Sequence, residues 1–390
     1  MGCSNVSIMV RLSKNIVRKK IIFLVNIDWF FVSHRLPIAI SAIEKGYNVY
    51  LLTKVTDKKE LLISHGIKVY NIPFERSSKN IFKELLIFFK IFLLYFKIKP
   101  DIVHHITMKP IIYGSIAANI LKINKNINAF SGLGYLFTNN RKSFIQKIIY
   151  LAINISSKNK RNIFIFQNKD DLTFFKENKV IASQNKNFII KGSGVDLEIY
   201  KETPPPLESK IIILFPTRML WDKGVRELYE ATLILKKKYF DKITFILAGM
   251  IDKDNISSVP EDFILNWQDG EYVKWIGYKE NIIDFYISSD IVVLPSYREG
   301  LPKSLIEACA IGRAIITTNA IGCKECVDDN FNGFKVQIGS GNKIAEAIIK
   351  LIEDRNLIVK MGKNSRIKAE KEFNLKDVID KHLFIYSQNL

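Results

Sequence analysis

Residues 291–333 read IVVLPSYREGLPKSLIEACAIGRAIITTNAIGCKECVDDNFNG. The run Ile291 to Leu294 is short, apolar and β-branched, and Pro295 ends it; this is the pattern of a buried strand. A polar loop continues to Leu301. Pro302 suits a first helical turn, where its missing N–H is not needed, and Gly312 offers a left-handed stop. Ala314 to Thr318 is a second buried strand. The order strand, loop, helix, strand predicts a βαβ unit whose loop lies at the carboxyl end of a strand, where open α/β sheets bind ligands. Two carboxylates flank the helix mouth, Glu299 in the loop and Glu307 within the helix. A helix N-terminus attracts phosphate, and carboxylates accept hydrogen bonds from hydroxyls. The unit therefore suits a ligand carrying both. Taken without their surroundings, the same glutamates are solvated surface charges.

Outward from this unit the rhythm repeats. Apolar runs bounded by turn residues recur at 21–26, 48–53, 68–73, 101–106, 126–130, 162–167 and 187–191, then at 211–215, 243–249 and 273–278, with helical stretches between them. Such alternation predicts an α/β protein with parallel, doubly wound, Rossmann-like sheets. The length of 390 residues and the hydrophobic content of 48% allow two cores. Thr203-Pro204-Pro205-Pro206 is a stiff linker, so the first domain ends near residue 196 and the second spans about 208–374. Beyond Gly333 the chain reads as helical.

Several residues stand where chemistry collects. Arg218 and Lys223 flank a strand-to-helix turn and can hold a diphosphate, arginine by its fork and lysine as a point charge. His104 and His105 end a strand, which is either a catalytic position or a structural pair. Ser33 reads as a helix N-cap, placing His34 and Arg35 in a first turn. There they contact an acceptor diphosphate or form a plain surface pair. Asp252-Lys253-Asp254 reads as a solvated loop, since two carboxylates make a poor metal site. Cys323 and Cys326 form a C-x-x-C with no second ligand pair, so neither zinc nor redox chemistry is expected. The stretch Ile81 to Ile98, IFKELLIFFKIFLLYFKI, carries Lys83, Lys90 and Lys97 on one stripe of a helix otherwise rich in large apolar residues. It suits either a buried helix or one lying at a membrane interface.

Glu299-Gly300-Leu301-Pro302 followed by Glu307-Ala308 resembles the E-x7-E signature of the family-4 retaining glycosyltransferases, which have the GT-B fold. Gly322 to Val327 and Asn332-Gly333 are similar to that family too, and Arg218 and Lys223 match its R-x4-K pair. The resemblance implies two domains facing a cleft, with a terminal helix, 375–390, crossing back onto the first. It implies that Glu299 faces the donor sugar and that Glu307 bonds the ribose. Gly300 and Leu301 lie at the same helix mouth, and Gly277 and Tyr278 stand in the segment that meets the base. The run His104 to Gly114, with Gly132 to Thr138, resembles a subgroup acting on polyprenyl-diphosphate-linked sugars, which brings His105 forward as a catalytic candidate. The implied reaction moves a hexose or N-acetylhexosamine from a UDP-sugar with retention, without metal or cofactor. One departure stands out: Asp28-Trp29-Phe30-Phe31 replaces the family's Gly-Gly loop.

Lys and Arg total 58 against 39 Asp and Glu, a net charge of +19. That balance favours anionic partners such as phosphorylated ligands or anionic lipid. Nucleic acid is not expected, because the charge is dispersed and no nucleic-acid module is recognisable. Few cysteines suggest a reducing compartment. Residues 1–20 read as a basic leader without a secretory apolar segment, and no uncharged run is long enough for a membrane span. The expected location is the cytoplasmic membrane face, held peripherally through the anionic surface and a lipid-linked saccharide acceptor. The rival readings are a GT-B enzyme on a soluble acceptor, a nucleotide-sugar epimerase, and a non-enzymatic polyanion-binding protein.

Overall fold

The computed structural model describes residues 18–75, 80–132 and 144–388. Residues 1–17 of the basic leader and the end of the glycine loop, from Leu133 to Thr138, lie outside the described residues, and Lys20 already belongs to the first strand. The strands are β1 (Lys20–Ile27), β2 (Asn48–Lys54), β3 (Lys68–Asn71), β4 (Ile102–Ile106), β5 (Lys125–Ala129), β6 (Asn162–Phe166), β7 (Lys186–Ile189), β8 (Ile211–Pro216), β9 (Ile243–Ala248), β10 (Val273–Gly277), β11 (Ile291–Leu294), β12 (Ala314–Thr318) and β13 (Gly333–Val336). The helices are α1 (Asp28–Glu44), α2 (Lys59–Ser64), α3 (Ile81–Ile98), α4 (Met108–Ile120), α5 (Phe144–Ser157), α6 (Lys169–Glu177), α7 (Val225–Tyr239), α8 (Glu261–Trp267), α9 (Ile283–Ile287), α10 (Lys303–Ile311), α11 (Gly341–Glu353), α12 (Arg355–Glu372) and α13 (Leu375–Ser387).

Two sheets result. One has the order β3-β2-β1-β4-β5-β6-β7 and the other β10-β9-β8-β11-β12-β13. Every strand pairing within them is parallel. Parallel sheets covered by helices need strands apolar on both faces, and β4, β5, β6, β11 and β12 are buried throughout. β13 was not legible as a strand. It is a four-residue edge that pairs with β12, too short to show a period.

α13 returns to the first sheet. Val378, Ile385 and Tyr386 join the core that contains Phe23, Phe31 and Ile106. The Lys125 ammonium donates to the carbonyls of Ile385, Tyr386 and Gln388 at 2.8, 2.7 and 2.6 Å and so caps the end of α13.

Two local expectations change. α1 starts at Asp28, not at Ser33. Asp28 is fully buried, and its carboxylate accepts from the backbone N–H of Trp29 and Thr56 and from the Thr56 hydroxyl. An acid in the first turn complements the dipole and starts the helix as soon as the strand ends. His34 and Arg35 therefore fall in the second turn, where backbone N–H groups are already paired.

α3 resolves the other ambiguity by splitting its faces. Ile87, Ile91, Tyr95 and Ile98 pack into the domain, while Ile81, Phe82, Leu86, Phe89, Leu93 and Phe96 are exposed, Phe82 to 81%. Lys83, Lys90 and Lys97 are exposed as well. The neighbouring helices α4 and α5 add the exposed Ile120, Leu151 and Ile155.

Candidate functional site

The carboxyl ends of both sheets face one cleft, and three glycines let its loops meet. A Cβ on Gly300 would lie 2.6 Å from the Gly132 nitrogen, and one on Gly322 would lie 2.3 Å from the Glu299 carbonyl oxygen. Contacts this close admit no side chain. Polar groups fasten the same seam. The Asn168 amide donates to the Gly300 carbonyl at 2.8 Å, Arg298 pairs with the buried Asp171, and Lys324 meets Asp170 at 2.9 Å. The Lys303 ammonium crosses to the Ser33 carbonyl and hydroxyl at 2.9 and 3.1 Å.

On the carboxyl-terminal wall the signature residues form a charge network. The Lys223 ammonium lies 2.5 Å from Glu299 Oε1, which also accepts from the Ser296 hydroxyl at 2.8 Å. Lys223 ends a single 3₁₀ turn, Trp221–Lys223, between β8 and α7. Arg218 meets Asp252 at 2.5 Å. Asp252 is therefore not a solvated loop residue; it is only 9% exposed because the guanidinium holds it. Asp254 remains exposed.

Glu307 is 6% exposed, on the second turn of α10. Its carboxylate accepts from the Tyr200 hydroxyl at 2.8 Å and the Tyr286 hydroxyl at 3.2 Å, with the Lys303 ammonium 3.5 Å away. Burial, reinforced by that carboxylate, pushes both phenols above their usual range. Leu301 is buried beneath the loop against Gly192. Gly277 ends β10 with φ +65°, and Tyr278 after it is exposed.

His105 is not in the cleft. Its Nδ1 lies 2.8 Å from Asn128 Oδ1 and its Nε2 3.0 Å from the Tyr95 hydroxyl, and Gly114 packs directly on the ring. Burial lowers its pKa to about 4. β4 lies in the middle of a covered sheet, so its histidines face helices on both sides; His104 meets the Tyr386 hydroxyl at 2.7 Å. Both histidines are fully buried, and His105, with its two ring nitrogens bonded to Tyr95 and Asn128, packs as a structural residue and not at a catalytic position.

The sequence reading missed Asp252, Tyr200, Tyr286, Asn168 and the Arg298–Asp171 pair. Asp252 had a signal, since a partly buried arginine calls for a carboxylate partner; the tyrosines had none. Among the described residues no group of three or more His, Cys, Asp or Glu is placed to hold a metal.

Residues 197–368 match the family model "Glycosyl transferases group 1", and residues 20–168 match "Glycosyl transferase 4-like". The chain is similar to the Campylobacter jejuni N,N'-diacetylbacillosaminyl-diphospho-undecaprenol alpha-1,3-N-acetylgalactosaminyltransferase, 28% identical over 85% of this chain and 89% of the relative. It is similar to the Escherichia coli UDP-Gal:alpha-D-GlcNAc-diphosphoundecaprenol alpha-1,3-galactosyltransferase, 24% identical over 87% and 89%. It also resembles the capsular polysaccharide biosynthesis glycosyltransferase CapM of Staphylococcus aureus, 28% identical over 88% and 91%. Among solved structures, Anabaena Alr3699/HepE in complex with UDP and glucose shares the fold with a TM-score of 0.75, at 18% identity, over 95% of this chain and 100% of that one. The facing parallel-sheet domains, the two matched models and these relatives agree: the chain belongs to the glycosyltransferases of GT-B fold, with a 4-like amino-terminal domain and a group 1 carboxyl-terminal domain.

Proposed function

We propose that the enzyme transfers a hexose or N-acetylhexosamine from a UDP-sugar to a saccharide carried on polyprenyl diphosphate, at the cytoplasmic membrane face. The observation that carries this reading is the convergence of Arg218, Lys223 and Glu299 at the seam where the glycine loops of both domains meet. Arg218 and Lys223 rest on Asp252 and Glu299. An incoming donor diphosphate takes over as their counter-ion, and they stabilise charge growing on the leaving group. That exchange frees the Glu299 carboxylate for the sugar hydroxyls beside it. Glu307, bridged by two tyrosines, is oriented to accept from a ribose hydroxyl at the mouth of α10. Gly277 and Tyr278 receive the base. The reaction proceeds with retention and needs neither metal nor cofactor, since two cations do the work of a divalent ion at the diphosphate.

The names of the relatives support a lipid-linked acceptor, and α3 supports the location. Among the described residues no helix is long and apolar enough to cross a membrane. The exposed phenylalanines of α3 between lysines suit a peripheral contact instead, with apolar rings entering the lipid and lysines meeting anionic headgroups. This contact disfavours a soluble acceptor. A panel of UDP-sugars incubated with polyprenyl-diphosphate saccharides, or with the same saccharides unlinked, and read by mass spectrometry tests the reading. Transfer to the lipid-linked form is expected, with the anomeric configuration kept and no response to EDTA. Equal transfer to the free saccharide would overturn the acceptor assignment.

A further inference from the structure

Among the described residues Arg35 is a buried cation without a carboxylate counter-ion. It is 2% exposed. Its Nη1 donates to the His34 carbonyl at 2.8 Å, its Nη2 reaches only the Ser131 hydroxyl at 3.4 Å, and its Nε has no acceptor. Among the described residues no carboxylate approaches the guanidinium within 4.0 Å. Burial accordingly lowers its pKa to about 10. The buried Arg313 shows what a structural arginine looks like here. Its guanidinium donates to the carbonyls of Tyr286, Thr203, Gly312 and Ile287 and to the Thr203 hydroxyl, and Asp290 favours its charge. An unpaired buried charge weakens a fold, which favours a partner supplied from outside it.

The surroundings say what that is. Ser131 precedes Gly132, whose backbone touches Gly300 at the seam. His34, next to Arg35, stacks on Phe30 with ring centroids 4.1 Å apart and keeps part of its surface open. Burial holds it neutral, helped by the Lys303, Arg35 and Arg218 charges around it. Cations of both domains thus converge on one histidine. The start of α1, where an anion would otherwise sit, is already filled by the Asp28 carboxylate. The positive field must therefore be answered from the cleft.

We infer that His34, Ser131 and Arg35 form an anion subsite on the amino-terminal wall, which receives the diphosphate of the acceptor. It is distinct from the Arg218–Lys223 pair that faces the donor, and the assignment rests on the acceptor proposed above. Arg35 is a positioning residue: in a medium of low dielectric its charge acts through the few ångströms to His34 and Ser131, and those two make the contact. Two diphosphates then lie in one cleft, each with its own cations, which keeps their mutual repulsion from emptying it.

The test uses Arg35→Met, Arg35→Lys and His34→Asn in the full chain. Inorganic pyrophosphate titrated into the UDP-saturated protein reads the second subsite alone, because UDP occupies the first. The wild type should gain a further rise in melting temperature. Arg35→Met should lose that response while melting no lower than the wild type and binding UDP unchanged. Its KM for a polyprenyl-diphosphate acceptor should rise about tenfold or more with kcat little altered, because the His34 and Ser131 contacts lose the charge that supports them. Arg35→Lys should keep part of the response, and His34→Asn should raise the same KM if Arg35→Met does not fold. No pyrophosphate response in the UDP-saturated wild type, or an unchanged acceptor KM in both Arg35→Lys and His34→Asn, would overturn the subsite. Failure of the wild type to bind UDP at all would instead strike the donor reading.

Discussion

On the carboxyl-terminal wall each cation of the site rests beside a carboxylate: Lys223 with Glu299, Arg218 with Asp252, Lys303 with Glu307. On the amino-terminal wall Arg35 has none among the described residues, and its neighbour His34 is kept neutral by burial first and by the surrounding cations second. The outer faces differ in the same sense. α10 is buried over most of its length, while α3 leaves a row of large apolar side chains bare. A wall whose charges are balanced at rest needs no ligand to hold its shape, which suits the exchange of a small, soluble donor under the proposed reading. The unbalanced wall and the bare helix belong to one domain, the one to which the proposed reading gives the lipid-linked acceptor.

The sharpest way to break this comparison is to strip the balanced wall of its cations. Arg218→Ala and Lys223→Ala should each lower kcat by about 10²–10³-fold, the usual cost of removing one preorganised charge-stabilising donor. Glu299→Ala combined with Lys223→Ala should be far from additive, because the two share one contact. Initial rates decide, and near-wild-type turnover in Lys223→Ala would remove the site from this wall.

The bare helix comes next. Phe82→Ser together with Phe89→Ser should release the protein from anionic liposomes, since each ring contributes about 2 kcal/mol when buried in an apolar phase. Melting should hardly change, because both rings already face water. Wild-type sedimentation should also weaken with salt, as lysine attraction is screened beyond about 8 Å at physiological ionic strength. If the double variant unfolds, α3 is core and the contrast between the outer faces fails.

A third effect concerns the interior of the amino-terminal domain. His105 titrates near pH 4 when folded and near 6.5 when unfolded. Its folded pKa is lowered, so the unfolded state binds more protons between those values and stability rises with pH. Acidification from about pH 6.5 to 4 should then remove about 3 kcal/mol through this group. His104 and His382, also held low by burial, act in the same direction. Denaturant midpoints across that range test it. His105→Gln should flatten the fall and leave the pH dependence of turnover unaltered; a shifted turnover profile would restore His105 to the chemistry.

The smallest effect is expected at Glu307. Glu307→Gln keeps the shape and both tyrosine contacts but weakens charge-assisted acceptance from a ribose hydroxyl, so UDP should bind about tenfold more weakly with kcat nearly intact. Calorimetry measures this, and unchanged UDP affinity would detach Glu307 from the nucleotide.

The sequence alone determined the class of the fold, the two-domain division and the identity of the motif residues. These are local matters: strand runs, the Pro302 start and Gly312 stop of α10, and the spacing from Glu299 to Glu307 are written in neighbouring residues. It also announced α3 as unusual but not which of its faces is buried, because periodicity marks a stripe without naming its partner. The tertiary structure decided what depends on distant chain segments. Asp252 lies 34 residues from Arg218, and Tyr200 lies 107 from Glu307, so no local pattern could join them. His105 looked catalytic from its place at a strand end and proved structural because helices cover both faces of β4. Arg35 read as a first-turn residue, either an acceptor-diphosphate contact or a surface residue, and it is buried, because α1 starts at Asp28 and turns Arg35 beneath Ser131. Burial and counter-ions are properties of a neighbourhood, and only folding assembles the neighbourhood.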